Sequence, residues 1–207
     1  PEKKSRLMND KEKKLTAYHE AGHAIAVKIA STTDKVDRIT IIPSGRAGGY
    51  TVHKPDEDKF YQTKEQLLEM IVIALGGRAA EDLVLGEVST GAYGDLKQAN
   101  SVARNMITKY GMSESMGNLI FGDENDEVFI GRDFGHTRNY SEEIAAQIDR
   151  EVKNIIDASY RKTVEMLRQN IDRLHAVANA LLEREKLEGP EFDDLFSSIP
   201  ELPGFPA

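Results

Sequence analysis

The segment from Thr63 to Leu85 most strongly limits how this chain can fold. Its residues are apolar on almost every side of a helix, so the helix is predicted to be buried all round. Gly76 and Gly77 lie within it and lower its helix propensity, and close packing of the backbone is the expected compensation. Such a helix belongs inside a domain, with other segments packed around it.

The other segments carry helix and strand signals of ordinary strength. Asn9 and Glu12 have capping-box spacing and open a helix whose apolar stripe ends near residues 31–33. β-branched residues and a closing proline predict a strand over residues 36–42, and a second short strand follows at residues 50–52. Further helices are predicted over 93–110, from 141 to a break at 170, and over 171–185, with weak strand candidates at 119–121 and 128–130. The fold class predicted is mainly α with a small β element.

Composition excludes several classes of protein. The chain has 207 residues, enough for a sizeable core, and no cysteine, which excludes disulfides, a thiol nucleophile and thiolate-ligated zinc or iron–sulfur sites. The 27 Lys and Arg residues against 35 Asp and Glu give a net charge of −8, which argues against duplex nucleic acid as a partner. Residues 70–77 form the longest uncharged apolar stretch in the middle of the chain, too short to span a bilayer. Because the sequence begins at Pro1 without an initiator methionine, we expect a piece of a longer chain.

The first predicted helix contains the pattern H-E-x-x-H, formed by His19, Glu20 and His23. Residues four apart stack on one face of a helix, so both imidazoles can reach one metal ion. Glu20 is rotated by about 100° from His19, close enough to address a metal-bound water without binding the metal. Zinc suits two imidazoles and a carboxylate, because one position stays open for water. This pattern predicts Glu20 as the general base of a zinc hydrolase.

The third metal ligand is left open by the residues alone. The longer motif of metzincins requires a glycine and a histidine at positions where this chain has Ala26 and Ile29, so that class is excluded. Solvated or packing roles are expected of three other histidines: His53, His136 and His175. Two carboxylates compete, Glu81 on the buried helix and Asp95 at the start of the next helix. Glu81 could instead pair with Arg78, or accept the outer N–H of a metal-bound histidine.

Several separated segments, taken together in this order, resemble the proteolytic domain of the FtsH family of membrane-bound, ATP-dependent zinc metalloproteases. The likeness runs from about residue 15 to residue 196. The segments that carry it are His19–His23, Ile41–Pro43, Gly48–Thr51, Gly76–Glu81, Ser89–Ala92 with Asp95–Leu96, Ala103–Met106, Tyr110–Ser113 and Gly131–Asp133.

The resemblance implies a helical, zincin-like metalloprotease domain with Zn²⁺ as its cofactor. It implies His19, His23 and Asp95 as metal ligands and Glu20 as the catalytic base, and it moves Glu81 to a supporting position behind the ligands. It also implies unfolded protein substrates, a homohexameric ring, and an AAA+ ATPase module and transmembrane segments in the same full-length chain. The sequence contains no G-x-x-x-x-G-K-[ST] motif, so ATP hydrolysis cannot reside in it.

Three regions are expected along the chain: an upstream linker over 1–8, the zinc metalloprotease domain over 9–196, and a proline-containing tail over 197–207. In the full-length protein we expect a membrane anchor, with this domain in the cytoplasm or the equivalent organelle compartment, and we expect the 207-residue chain itself to be soluble. The alternative function is a structural or oligomerisation module in which zinc joins three segments.

Overall fold

The computed structural model describes residues 8–45, 47–122 and 139–203. The predicted strand at 128–130, His136, the segment 131–133, and parts of the expected linker and tail lie outside these residues. Six α-helices are described: α1 (Asp10–Ala30), α2 (Lys64–Ala80), α3 (Tyr93–Thr108), α4 (Glu142–Gln169), α5 (Ile171–Arg184) and α6 (Gly189–Ser197). Three short strands accompany them: β1 (Asp34–Thr40), β2 (Tyr50–Pro55) and β3 (Lys186–Glu188). The predicted fold class, mainly α with a small sheet, is confirmed.

Helix α2 is the shared wall of two hydrophobic clusters. One cluster joins it to α1, β1, the C-terminal end of α4, α5, β3 and α6, and the other joins it to α3 and to earlier turns of α4. Val72 and Ile73 belong to the first cluster, whereas Ile71 and Leu75 belong to the second. The helix is apolar on nearly every side because it has packed neighbours on nearly every side.

Two glycines allow helices α1 and α2 to cross at backbone contact. A Cβ atom at Gly76 would lie 2.8 Å from the carbonyl oxygen of Gly22 and 3.2 Å from the Cβ atom of Ala26. Only glycine leaves room for this approach. The backbone packing expected for the Gly76–Gly77 pair is therefore present, and it brings the H-E-x-x-H segment of α1 against α2.

The N-termini of the helices are fixed by local side-chain bonds. Asn9 and Glu12 form a reciprocal capping box at α1, as predicted, and Thr63 and Gln66 form another at α2. The hydroxyl of Ser141 accepts a hydrogen bond from the amide of residue 144 at the start of α4. These bonds satisfy amides that have no partner within the helix.

Helix α2 does not continue as an α-helix to residue 85. Residues Glu81–Leu85 form a π-helical segment, which ends at Gly86 with a left-handed φ of 63°. Residues 119–121, a weak strand candidate, are irregular: the amide of Phe121 instead donates to the carbonyl of Thr108 at the end of α3. The break predicted at Asn170 is confirmed, since this residue separates α4 from α5.

The sheet has the order β2–β1–β3, and both pairings are antiparallel. Ile39 of β1 is opposite Thr51 of β2 on one side and Leu187 of β3 on the other. An irregularity between Val36 and Arg38 shifts the register of the first pairing. Strand β2 is at the edge of the sheet, so one side of its backbone is not paired within the sheet.

Candidate metal centre

Helix α1 presents two imidazoles on one face. His19 and His23 lie one turn apart, with their Nε2 atoms 3.0 Å from each other. Both rings are largely withdrawn from solvent, and they meet edge to face with centroids 4.7 Å apart. The i, i+4 spacing of the motif therefore produces the convergence that its sequence predicts.

A third group reaches the same point from α3. The chain makes a 3-10 turn over Thr90–Ala92, held by a bond from the amide of Gly91 to the Ser89 hydroxyl, and then enters α3. Asp95 lies in the first turn of that helix. Its Oδ2 atom is 2.9 Å from Nε2 of His19 and 3.1 Å from Nε2 of His23.

These three atoms fit the ligand set of a single metal ion. Ligands bound tetrahedrally at about 2.1 Å are separated from each other by roughly 3.4 Å, and the observed separations of 2.9, 3.0 and 3.1 Å are within about 0.5 Å of this value. Among the described residues, one group of three histidine or acidic side chains has converging ligand atoms, and it consists of His19, His23 and Asp95. Two imidazoles and one carboxylate are donors that suit zinc.

The far side of each imidazole is bound to an acceptor that fixes its orientation. Nδ1 of His23 donates to the backbone carbonyl of Ile73, at 2.8 Å. Nδ1 of His19 is 3.0 Å from the Oε2 atom of Glu81. When each ring is neutral, these bonds place its proton on Nδ1 and leave the lone pair of Nε2 directed at the shared point.

Glu81 thus lies behind the three converging side chains rather than among them. It is completely buried, and the hydroxyl of Ser89 donates to its other oxygen, Oε1. The backbone carbonyl of Ser89 in turn accepts a bond from Nη2 of Arg78, at 2.9 Å. Because Glu81 contacts the opposite nitrogen of the His19 ring, its geometry is that of a supporting group and not of a third ligand.

The electrostatics of the cluster favour a positive charge between the imidazoles. Burial lowers the pKa of His19, but hydrogen bonds to Asp95 and Glu81 and the charge of Glu20 outweigh it and raise that pKa to about 10. Burial raises the pKa of Asp95, but the two histidines oppose this and hold it well below its usual range. Three carboxylates, those of Asp95, Glu81 and Glu20, therefore stabilise a cation here, whether it is a proton or a metal ion.

Helix α2 also sets the position of the His19 ring by direct contact. A Cβ atom at Gly77 would lie 2.7 Å from Cδ2 of His19 and closer still to its Cε1 and Nε2 atoms. The His19 ring therefore packs directly against the backbone of α2, and only glycine leaves room for it at position 77.

Glu20 is buried next to the three converging side chains, and a residue of the sheet is hydrogen-bonded to it. The hydroxyl of Thr51, in β2, lies 2.8 Å from the Oε2 atom of Glu20 and 3.1 Å from its backbone carbonyl. Sequence reasoning did not identify Thr51, because nothing in the strand pattern shows which helix its side chain meets. It also did not identify Ser89 as the partner of Glu81.

The metal-binding group and Glu20 line one cleft, with a volume of about 1230 Å³. Residues of β2 and of the loop that follows it form one part of its lining, and residues of α2 and α3 form another. The ligand atoms therefore face a space large enough to admit a peptide segment.

The remaining described histidines have other partners. Nδ1 of His175 is 2.7 Å from the hydroxyl of Tyr18, and Nδ1 of His53 is 2.5 Å from the Oδ2 atom of Asp34. Neither belongs to the group of converging ligand atoms. His136 lies outside the described residues.

Comparison with known proteins shows the family of this chain. The sequence model of peptidase family M41 matches residues 6–195. The chain belongs to peptidase family M41. Its relatives include the ATP-dependent zinc metalloprotease FtsH of Ruminiclostridium cellulolyticum, 61% identical over 99% of this chain and 34% of that protein. Proteins with the same name in Caldicellulosiruptor bescii and Bacillus subtilis are 58% and 44% identical, over 94% and 97% of this chain.

The M41 chain spans about a third of the length of these relatives, between 32% and 34%. Membership of the family confirms the resemblance found in the sequence and the helical, zincin-like fold class. No helix within the described part of the chain has both the length and the apolar character needed to cross a membrane.

Proposed function

We propose that this chain is the zinc-dependent endopeptidase domain of an FtsH-type protease. The observation that carries the proposal is the convergence of His19, His23 and Asp95 in a cleft that Glu20 also lines. Family M41 and the names of the relatives, zinc metalloproteases, support the same function. In this proposal the three converging side chains hold Zn²⁺, and Glu81 orients His19.

When bound, zinc supplies Lewis acidity that acidifies water and polarises a peptide carbonyl. The chain contributes the proton transfers. Glu20 accepts a proton from the attacking water and later delivers it to the departing amine, so the carboxylate is regenerated after each cleavage. Thr51 donates to one carboxylate oxygen of Glu20 and restricts its orientation.

The cleft favours an extended polypeptide as the substrate. Strand β2 lines the cleft and is the edge of the sheet, so its free backbone groups can pair with a peptide. Backbone pairing fixes the peptide while selecting little among side chains, which suits unfolded proteins of varied sequence. A strict preference for one residue at the cleavage site would count against this mode of binding.

ATP dependence is proposed to reside in the rest of a longer protein. The relatives named ATP-dependent are about three times as long as this chain, and the sequence has no G-x-x-x-x-G-K-[ST] motif. We assign to that remainder an AAA+ ATPase module and transmembrane segments. We also propose a homohexamer, with this domain in the cytoplasm or an equivalent organelle compartment.

A structural zinc site is the alternative function, and the geometry does not favour it. Structural zinc is normally bound by four protein ligands, whereas the described residues offer one group of three. A buried carboxylate held beside that group, Glu20, has an evident use in hydrolysis and none in joining segments.

The decisive variant is Glu20→Gln, which keeps the size of the side chain and removes its ability to accept a proton. We expect folded protein with wild-type zinc content and no hydrolysis of casein or of a quenched fluorescent peptide. Asp95→Asn is expected to lose both zinc and activity. Full activity in Glu20→Gln would refute the catalytic proposal, and stoichiometric zinc with full activity in Asp95→Asn would refute the ligand assignment.

A further inference from the structure

The loop between β2 and α2 carries two large aromatic side chains that the fold does not use. Phe60 and Tyr61 are 98% and 88% exposed, and they are adjacent in the chain. Burial of such rings is a main source of folding free energy, so rings left in water contribute almost nothing to stability. Both residues nevertheless belong to the lining of the cleft that His19, His23 and Asp95 also line.

The two ends of this loop are fixed by hydrogen bonds. At its start the amide of Asp56 donates to the carbonyl of Thr33, at 2.8 Å. At its end Thr63 and Gln66 form the capping box of α2, with bonds of 3.0 and 3.2 Å. The two ends of the loop are therefore anchored on the body of the domain, and Phe60 and Tyr61 lie between these anchors among the residues that line the cleft.

We propose that Phe60 and Tyr61, here called the aromatic rim, bind large apolar side chains of the extended substrate. This inference rests on the proposed peptidase function and adds a substrate class to it: segments rich in leucine, phenylalanine and similar residues. Such segments are buried in folded proteins and become accessible when proteins unfold.

Because the aromatic rim is continuous with the cleft, we expect a segment of the substrate, rather than another partner, to bind it. Strand β2 begins beside Glu20, through the bond of Thr51, and leads to Pro55, where the loop begins. A peptide paired along β2 therefore passes from the metal centre toward the segment that bears the aromatic rim. Aromatic faces accept aliphatic and aromatic side chains of different shapes, so the rim adds affinity without restricting sequence.

The test measures peptide binding separately from hydrolysis. In the Glu20→Gln background, the rim is removed by the double substitution Phe60→Ala and Tyr61→Ala. Two fluorescent peptides of equal length are compared, one rich in leucine and phenylalanine and the other with those residues replaced by serine. Partial burial of each ring corresponds to about a 5-fold change in affinity, so both together predict a Kd about 10- to 30-fold weaker for the apolar peptide.

A control variant removes two other exposed, adjacent apolar residues that lie outside the cleft. Leu119 and Ile120 are 58% and 71% exposed and do not line the cleft, so their double alanine variant should bind both peptides as the parent does. The rim variant should bind the serine peptide with less than a 2-fold change. Its melting temperature should equal that of the parent, because the rings are in water.

Several outcomes would overturn the inference. Unchanged binding of the apolar peptide by the rim variant would do so, as would equal weakening by the Leu119/Ile120 control. A rim variant that changed only self-association, measured by sedimentation, would assign the rings to contact between copies. Failure of the Glu20→Gln protein to bind either peptide would also overturn it. The proposed function is judged separately, by whether wild-type protein hydrolyses casein.

Discussion

The substitution Gly77→Ala tests whether the contact between α1 and α2 fixes the position of the His19 ring in the candidate metal centre. The added Cβ would lie 2.7 Å from Cδ2 of His19 and nearer to two other ring atoms, whereas carbon atoms in ordinary contact are about 3.5–4.0 Å apart. Since α2 is packed on both sides, we expect the ring rather than the helix to move, by about 1 Å.

The size of the effect follows from two opposing contributions. Alanine is more favourable than glycine inside a helix by about 0.5–1 kcal/mol. Against this, a displaced ring weakens the bond between His19 and Glu81 and moves Nε2 beyond the roughly 0.2 Å that a metal–ligand distance tolerates. Loss of such a supporting bond costs about 10- to 100-fold in metal affinity, and a 1 Å misplacement costs about 100-fold in rate.

We therefore expect Gly77→Ala to bind zinc about 10- to 100-fold more weakly and to hydrolyse a quenched peptide at least about 100-fold more slowly. Zinc affinity is measured by competition with a chromogenic chelator. Gly94→Ala is the matched control, because that glycine is also helical and a Cβ there meets nothing within 4 Å. The control should keep wild-type zinc affinity and activity.

Circular dichroism of the zinc-free proteins separates ring displacement from loss of fold. Gly77→Ala should keep the helical content of the wild type, since the clash falls on one side chain. Wild-type zinc affinity and activity in this variant would refute the reasoning. So would an equal loss in Gly94→Ala, which would show that a methyl group on any helix near the site is harmful.

Three further predictions follow from the same geometry. Thr51→Val should lower kcat about 10-fold with KM unchanged in a steady-state assay, because Glu20 loses its hydroxyl donor. The control Thr51→Ser keeps the hydroxyl and should keep most of the activity, so equal activity of the two variants would contradict this prediction. Glu81→Gln should weaken zinc binding about 10- to 100-fold, measured by chelator competition, without changing the zinc-to-protein ratio at saturation. The pKa of metal-free His19 is raised to about 10, so below that pH a proton competes with zinc for the ring. Zinc affinity should therefore rise from pH 6 to pH 8, and binding should release protons, which calorimetry in buffers of different ionisation enthalpy detects. A zinc affinity independent of pH would contradict this prediction.

The parts of the fold that the sequence predicted well depend on residues close together in the chain. The capping box of α1 involves residues three apart, and the two converging histidines of the H-E-x-x-H pattern lie one helical turn apart. The burial of α2 could be predicted because a helix with no polar face has few alternatives. The break at Asn170 is local as well.

The parts that sequence reasoning missed depend on distant contacts. Strand β3 has three residues, and it exists because Leu187 lies opposite Ile39, far away in the chain. Glu185 lies between α5 and this strand and has a left-handed φ of 65°, which no local rule predicts for glutamate. Helix α6 does carry a local signal, because Pro190 lies at its start, where proline is favoured in helices.

The choice between Asp95 and Glu81 shows the same limit within the site. Both are carboxylates near helix ends, and their spacing from the histidines does not distinguish them. The structure separates them by which nitrogen of His19 each contacts: Asp95 is at Nε2 and Glu81 is at Nδ1. That distinction arises from the crossing of α1, α2 and α3, which is a property of packing.

The unpaired side of β2 also exposes the protein to a hazard. A free strand edge attracts any extended chain, including the same strand of a neighbouring molecule, and edge-to-edge pairing of this kind starts aggregation. The strand is only six residues long and ends in Lys54 and Pro55, a charge and a residue without an amide donor. Because the strand is short and ends in these two residues, it can form only a short backbone ladder with a second copy. The edge can therefore remain unpaired without promoting self-association.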